Sequence, residues 1–372
     1  MRIVITGADG FLGKNLRMRL TELGHIDLIG VTRSTTPAAF QSALTHADFV
    51  FHLAGVNRPQ DPAEFASGNV TATQNLCNYL VAAGRRTAVL FASSTQAHLP
   101  NPYGESKRAA EEAIQHYHRL TGAPVHVFRL TNVFGKWCRP NYNSVVATFC
   151  HNIARGLPIT INDPQAPLLL VYIDDVIDAF LKVMAPAAAI IESEFVSVNP
   201  VHATSVGEVA NILRKFSESR TTLLTQPVGM GLIRALYSTY ISYLPVEYFT
   251  YDVPRHIDQR GIFVEMLKTP DCGQFSYFTA LPGITRGGHY HHSKSEKFLV
   301  IKGTAHFGFR HITTGETHQL VTNGGDARIV ETVPGWAHNI TNIGHDELIV
   351  MLWANEIFDR QHPDTVAMKV KP

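Results

Sequence analysis

Apolar and β-branched residues open the chain in a short run from Arg2 to Thr6, and an amphipathic stretch from Phe11 to Leu23 follows a glycine-spaced turn. The alternation continues. Strand-like runs at Asp27–Thr32, Asp48–Leu53, Ala88–Ala92 and Val125–Arg129 are separated by helical patterns such as Pro62–Ala83 and Pro102–Leu120. Strands that alternate with helices need crossover connections, which make the sheet parallel and cover both of its faces. The first half is therefore predicted to be a doubly wound α/β domain. Past about residue 246 the period changes to short runs broken by glycine turns, at Phe298–Ile301, His306–Arg310, Arg328–Glu331 and Leu348–Trp353. Without helices between them, such runs predict a small all-β sandwich or barrel. The boundary is placed at Leu244-Pro245, giving domains 1–245 and 246–372.

Length and composition agree with that division. The 372 residues suit two domains, and 45% hydrophobic with 17% charged residues is ordinary for packed cores. Lys plus Arg (32) nearly cancels Asp plus Glu (31), which leaves no basic excess for a nucleic-acid backbone. No window reaches 18 uninterrupted apolar residues, and the first residues read as a strand, not a leader, so a cytoplasmic protein with no membrane partner is expected. Cys77, Cys138, Cys150 and Cys272 form no CxxC pair and are expected as reduced thiols. Histidine is unevenly spread: ten of nineteen lie from His256 onward, which suggests a second chemistry there.

Gly7, Gly10 and Gly13, with Phe11 and Leu12 between the last two, stand directly between the first strand and the first helix. Glycine spacing of this kind lets the backbone turn sharply and approach a pyrophosphate, while the helix N-terminus offers it free N–H groups. Dinucleotide binding is the expectation. Arg33 ends the second strand where an NAD-binding fold offers a carboxylate to the ribose, so a 2′-phosphate, and hence NADPH, is expected. Leu53, Ala54 and Gly55 end the third strand at the edge where the cofactor would lie. Tyr103 and Lys107, four apart, share one helix face, with Ser94 a short loop upstream. The ammonium is expected to lower the phenol's pKa, and Ser94 to hydrogen-bond a substrate carbonyl.

With Thr6–Gly13, Tyr103–Lys107, Arg129–Gly135 and Tyr172–Val176 in this order, residues 1 to about 245 resemble the extended short-chain dehydrogenases/reductases that act on nucleotide sugars. The resemblance implies a Rossmann-type fold, Ser94, Tyr103 and Lys107 as catalytic residues with Lys107 also on the cofactor, and Asn132 beside the sugar-nucleotide diphosphate. It also implies that Tyr172–Val176 shapes the substrate lobe. Dehydratases of that family carry an acidic pair after the catalytic Ser or Thr, whereas Thr95-Gln96 follow Ser94 here. Plain ketone reduction is expected.

In the second half His289 and His291 lie two apart on a predicted strand and so share a face, and Glu296 and His338 complete a set of three imidazoles and one carboxylate. The run Gly283-x5-His289-x-His291-x4-Glu296-x6-Gly303 resembles the first cupin motif, and Pro334-Gly335-x2-His338-x3-Asn342 the second, less one residue. A metal site is expected, with zinc the first choice and iron, nickel or manganese left open by ligand type. A metal-free cupin using these histidines as bases is the alternative. Tyr290, His292, His306 and His311 are minor candidates for proton transfer.

The whole chain, reductase followed by cupin, resembles the CapF-like family of bifunctional capsular-polysaccharide enzymes, carried also by Phe134–Ser144, Tyr237–Pro245 and Trp353–Glu356. The resemblance implies a UDP-linked 4-keto-6-deoxy-N-acetylhexosamine substrate and a homodimer. The cupin would invert C3 of UDP-2-acetamido-2,6-dideoxy-4-hexulose and the reductase would then reduce C4 with NADPH. The rival is a single-function reductase whose cupin serves dimerisation or stability.

Overall fold

The computed structural model describes residues 1–184, 195–249, 251–292 and 294–370. Two compact units divide it: Met1–Leu213 with Arg234–Pro245, and Arg214–Ile233 with Val246–Pro372. A linear cut at residue 245 leaves out the Arg214–Ile233 excursion, which packs with the second unit.

The first unit opens with β1 (Ile3–Thr6), α1 (Phe11–Glu22), β2 (Leu28–Val31), α2 (Pro37–Thr45) and β3 (Phe49–His52). A helical segment follows as α3 (Ala63–Phe65), a π-helical stretch (Ala66–Thr71) and α4 (Ala72–Ala82), then β4 (Ala88–Ser94), α5 (Pro102–Thr121) and β5 (Val125–Leu130). The five strands are parallel in the order β2-β1-β3-β4-β5. On one face Val4, Val50 and Val89 meet Leu44 of α2, Leu76 and Leu80 of α4, and Ile114 and Tyr117 of α5. On the other, Phe51 and Phe128 meet Phe180. Burial on both faces is why these strands read as unbroken apolar runs.

The unit continues through β6 (Asn132–Phe134), α6 (Val145–Ile153), β7 (Pro167–Tyr172), α7 (Ile173–Met184, which carries Phe180), β8 (His202–Ser205), α8 (Val206–Thr222) and α9 (Gly231–Ser242). Strands β6, β7 and β8 form a small separate sheet. The division between units falls inside α8, after Leu213, where the helical period continues without a break.

The second unit holds β9 (Arg255–Asp258), β10 (Gly261–Thr269), β11 (Gly273–Ala280), β12 (Thr285–Tyr290), β13 (Glu296–Lys302) and β14 (Thr304–His311). It continues with β15 (Thr317–Asn323), β16 (Ile329–Glu331), β17 (Trp336–Asn342), β18 (Leu348–Ala354) and β19 (Val366–Ala367). They form two antiparallel sheets, β16-β13-β18-β11-β10-β9 and β15-β14-β17-β12-β19. Phe278, Phe298 and Val350 of the first share one core with Phe307, Phe309 and Ile340 of the second. β12, Thr-Arg-Gly-Gly-His-Tyr, has almost no apolar signal; its partner β17 makes it a strand. No helix among the described residues is long and apolar enough to cross a membrane.

Candidate active sites

At the carboxyl edge of the parallel sheet, Gly10 caps α1 without a side-chain hydrogen bond, so the first N–H groups of the helix remain for an anion. A Cβ on Gly13 would stand 2.3 Å from the Gly7 carbonyl oxygen and 2.8 Å from the Ala8 Cα, so only glycine lets α1 close on this turn. Phe11 and Leu12 begin α1 and are half-buried. Leu53 N donates to the Thr6 carbonyl at 3.3 Å and Ala54 N to Thr6 Oγ1 at 3.1 Å, so the loop through Gly55 is tied to the glycine turn. His52, buried and neutral because burial lowers its pKa to about 3, spans Thr6 Oγ1 (2.7 Å) and Thr73 Oγ1 (2.9 Å) beneath that tie. Arg33 is exposed on the turn after β2. Asn132 is exposed at the start of β6.

Ser94 ends β4 and is followed by a 3₁₀ turn, Thr95–His98. Helix α5 starts after Asn101, whose Oδ1 accepts from Gly104 N at 2.8 Å, with Pro102 in its first turn, and it stops at left-handed Gly122. A Cβ on Gly104 would stand 2.3 Å from the Gln96 carbonyl oxygen and 2.7 Å from that of Leu99. Glycine is what lets the first turn of α5 press on the 3₁₀ turn, and that contact brings Tyr103 to Ser94. Gly104→Ala is therefore expected to separate Tyr103 from Ser94 and abolish any reaction that needs the two together while the fold survives, readable by activity assays beside thermal unfolding. Full activity in that variant would remove the contact from the account.

Burial is the leading influence on Tyr103 and raises its pKa, while a hydrogen bond with Ser94 works the other way. The net direction is opposite to the expected one, because burial outweighs the hydrogen bond with Ser94. Lys107 Nζ donates to the Ala92 carbonyl at 2.9 Å, lies 4.9 Å from the Phe91 ring centre, and would stand 3.2 Å from a Cβ on Gly55. Lys107 thus reaches from α5 to the loop at Gly55. Asn69, on the π-helical stretch, fixes that corner by bonding Val56 N (2.7 Å), Val56 O (2.9 Å) and Ser106 Oγ (2.9 Å). No sequence spacing announces Asn69; π-helical insertions, which often mark functional sites, are the only signal.

In the second unit His289, His291, Glu296 and His338 bring one donor atom each to within 4.8 Å of one another. Glu296 Oε2 lies 3.4 Å from His291 Nε2 and 3.3 Å from His338 Nε2. Both contacts exceed an ordinary N–H···O bond. They match the edge of a tetrahedron, about 3.3 Å, whose corners sit roughly 2.0–2.1 Å from a shared ion. Three imidazoles and one carboxylate thus fit a borderline divalent ion. Burial, followed by His338 and His291, lowers the His289 pKa to about 4, which keeps it neutral as a ligand must be. Burial opposes ionisation of Glu296, but the His291 and His338 imidazoles and the Lys294 ammonium outweigh it and hold the carboxyl well below its usual range. Lys294, 3.4 Å from Glu296 Oε1, leaves Oε2 to the imidazoles. His338 Nδ1 is buried without a partner among the described residues.

The loop carrying these ligands is clamped from the C-terminal segment. His291 Nδ1 bonds the Asp364 carbonyl, and the Asp364 carboxylate accepts from His292 N and Lys294 N, both at 2.8 Å. A carbonyl on the far nitrogen sets the ring orientation and raises the basicity of the ligating one. Asp364→Ala keeps the carbonyl on His291 but removes the carboxylate that holds His292 N and Lys294 N, and is expected to weaken divalent-metal affinity, up to about 10-fold, the low end for outer partners; competition with a chelating indicator measures it, and unchanged affinity would take the carboxylate out of the clamp. Tyr290 and His292 pair rings at 5.4 Å, His306 bonds Gln319 at 3.2 Å and His311 meets Trp336 at 5.0 Å. None of the four is in the lining of the cavity beside the ligands, which holds about 190 Å³. Asn342 serves the fold, donating to the Ala280 (2.9 Å) and Asp346 (2.8 Å) carbonyls.

The model of the NAD dependent epimerase/dehydratase family matches residues 3–198, the stretch that holds the glycine turn, Ser94, Tyr103 and Lys107. The chain belongs to that family. Residues 256–366 match the polysaccharide biosynthesis C-terminal domain. A Pseudomonas aeruginosa protein named UDP-2-acetamido-2,6-beta-L-arabino-hexul-4-ose reductase is 56% identical over 370 residues, covering 100% of this chain and 99% of its own. The capsular polysaccharide assembling protein CapF of Staphylococcus aureus is 42% identical with a TM-score of 0.92, covering 99% of this chain and 100% of its own. This member of the epimerase/dehydratase family is thus CapF-like along its whole length. A Thermus thermophilus UDP-glucose 4-epimerase in complex with NAD, 18% identical with a TM-score of 0.55 over 65% of this chain and 99% of its own, shares the fold of the first unit. A nicotinamide cofactor goes with the family name.

Proposed function

We propose that the chain is a bifunctional nucleotide-sugar enzyme. The barrel inverts C3 of UDP-2-acetamido-2,6-dideoxy-4-hexulose, and the parallel-sheet unit then reduces C4 to give UDP-2-acetamido-2,6-dideoxy-L-talose. This lies on the route to UDP-N-acetyl-L-fucosamine for capsule or O-antigen. One observation carries the reading: Tyr103 shares a hydrogen bond with Ser94 at the end of β4, with Lys107 one helical turn on, in a chain 56% identical, end to end, to a protein named as a reductase of such a 4-ulose.

Chemistry orders the two steps. A hydrogen on C3 is acidic only while C4 is a carbonyl, because the carbanion is then stabilised as an enolate. Reduction removes that acidity, so inversion comes first and reduction makes it permanent. When bound, NADPH supplies the hydride that C4 receives. Tyr103 gives its phenolic proton to the C4 oxygen, Ser94 donates a hydrogen bond that orients the ketone, and Lys107 holds positive charge near the tyrosinate and on the ribose. Gly7, Gly10 and Gly13 receive the pyrophosphate, Arg33 the 2′-phosphate, and Asn132 the substrate diphosphate. Zinc is the ion proposed for His289, His291, Glu296 and His338, and it would supply Lewis-acid stabilisation of charge.

Burial lowers the Lys107 pKa from 10.5 to about 8, with Glu111 working to raise it. Reductive kcat/KM is therefore expected to fall as pH rises through about 8 and the ammonium is lost. Between about 8 and 10.5 the unfolded chain binds the extra proton, so this group's contribution to stability improves with pH in that window. A pH–rate profile with melting temperatures at each pH separates the two; a flat profile would take the Lys107 charge out of the mechanism.

The Pseudomonas relative is named as a reductase alone, which favours the single-function reading with a barrel for dimerisation or stability. One experiment decides. The protein is incubated with the UDP-4-keto sugar in deuterated water, first without and then with NADPH, and the product is read by NMR. Deuterium at C3 before NADPH supports both activities, reduction without it supports the single function, and neither sinks both. Chelation in the same assay asks whether exchange needs the ion. Sedimentation tests the homodimer that belongs to this reading.

A further inference from the structure

Two arginines in the lining of the barrel cavity have no part in the chemistry above. Arg286 stands on β12 three residues before His289, and simple alternation would turn the two to opposite faces. The ladder with β17 does otherwise: Arg286 pairs with Ile340 and His289 with His338, across a register shift between Gly287 and His289. Gly287 and Gly288 have φ of 86° and 80°, the left-handed backbone that glycine tolerates and such a bulge uses. The extra residue re-aims Arg286, so that it lines the cavity together with His289, His338 and Ile340.

Within the cavity Arg286 Nε donates to the Thr279 carbonyl at 2.9 Å and the guanidinium lies 5.1 Å from the Phe278 ring centre. Its Nη2 is buried with no partner among the described residues. Burial, and next the charge of Arg260, lowers its pKa. Arg260, an exposed member of the lining, is held to Asp258 by bonds of 3.0 and 2.6 Å. Two guanidiniums therefore share one carboxylate, and a buried donor is left without an acceptor, a costly arrangement unless an anion completes it. The cavity, about 190 Å³, is smaller than the roughly 300–1,000 Å³ that encloses a whole drug-sized ligand. It suits a single sugar ring, with the rest of the molecule at the mouth.

We propose that Arg286, with Arg260 at the rim, forms a diphosphate subsite of the barrel that grips the charged linker of a nucleotide sugar while its ring points toward His289. This rests on the bifunctional reading above. The test uses the full chain. Inorganic pyrophosphate is titrated while the arginine Nε–H signals are followed by ¹⁵N NMR, the Arg286 signal being identified by its loss in Arg286→Lys. A saturable shift of that signal is expected. In C3 deuterium exchange without NADPH, Arg286→Gln raises KM about 10- to 100-fold, the worth of a hydrogen bond to a charged group, with little change in kcat. Arg286→Lys recovers part of the loss, because it keeps the charge without the planar fork. Reduction of a keto-sugar already inverted at C3 stays at the wild-type rate in both variants and reports an intact fold. An Arg286 signal that ignores pyrophosphate overturns the proposal, as does a fall in kcat at unchanged KM, which would put the guanidinium on the reacting carbonyl instead. Should the wild-type chain exchange no C3 hydrogen, the epimerase reading fails, and the pyrophosphate titration decides the subsite by itself.

Discussion

Tyr103→Phe is expected to slow NADPH-dependent reduction of the UDP-linked 4-keto sugar about 10²- to 10⁴-fold, the range that a positioned proton donor contributes. Burial holds the phenol's pKa above its ordinary value, so at neutral pH it keeps a proton to donate. Phenylalanine keeps the ring and its contact with Phe65, whose centre lies 5.9 Å away, so the fold and cofactor affinity should survive. The loss should then appear equally in kcat and kcat/KM, the mark of an interaction made only in the transition state. Steady-state NADPH oxidation beside a cofactor titration makes the measurement. Undiminished oxidation would take Tyr103 out of the chemistry, and C3 exchange in the barrel should be untouched either way.

Glu296→Gln is expected to strip the barrel of its divalent ion and to destabilise the second unit by about 3–5 kcal/mol, the usual cost of leaving one buried charge without its partner. The reason is the company Glu296 keeps. Its side chain is buried, Lys294 stands 3.4 Å from Oε1, and two imidazoles converge on Oε2. The amide fills the same space but takes the carboxylate from beside the buried Lys294 ammonium and removes the anionic donor. Metal content by mass spectrometry and thermal unfolding of the full chain read the two effects. A variant that keeps both its ion and its melting temperature would show that the four residues do not act as one site.

Much of both sites was legible in the chain because the relevant spacings are short. Gly7, Gly10 and Gly13 span one turn, Tyr103 and Lys107 one turn of helix, and His289 and His291 one strand repeat, so local periodicity alone sets them on common faces. Gly104 lay in plain view between Tyr103 and Lys107, yet its reason, the Gln96 carbonyl against which α5 presses, is a packing contact. The net direction of the Tyr103 pKa was hidden for a similar cause: spacing shows the lysine four residues on, while burial of the phenol, which outweighs the Ser94 hydrogen bond, is invisible in a linear reading.

By itself the sequence determined the alternating strands and helices of the first unit, the short strands of the second, the glycine turn, and the residue types that can carry a proton or hold an ion. These depend on neighbours within a few residues, where backbone geometry leaves few choices. Only the tertiary structure decided that Asp364 reaches back 73 residues to clamp His291, that a bulge swings Arg286 into the cavity, and that Arg214–Ile233 packs with the barrel unit. Strand pairing and burial between distant segments set those outcomes, and no local period encodes them.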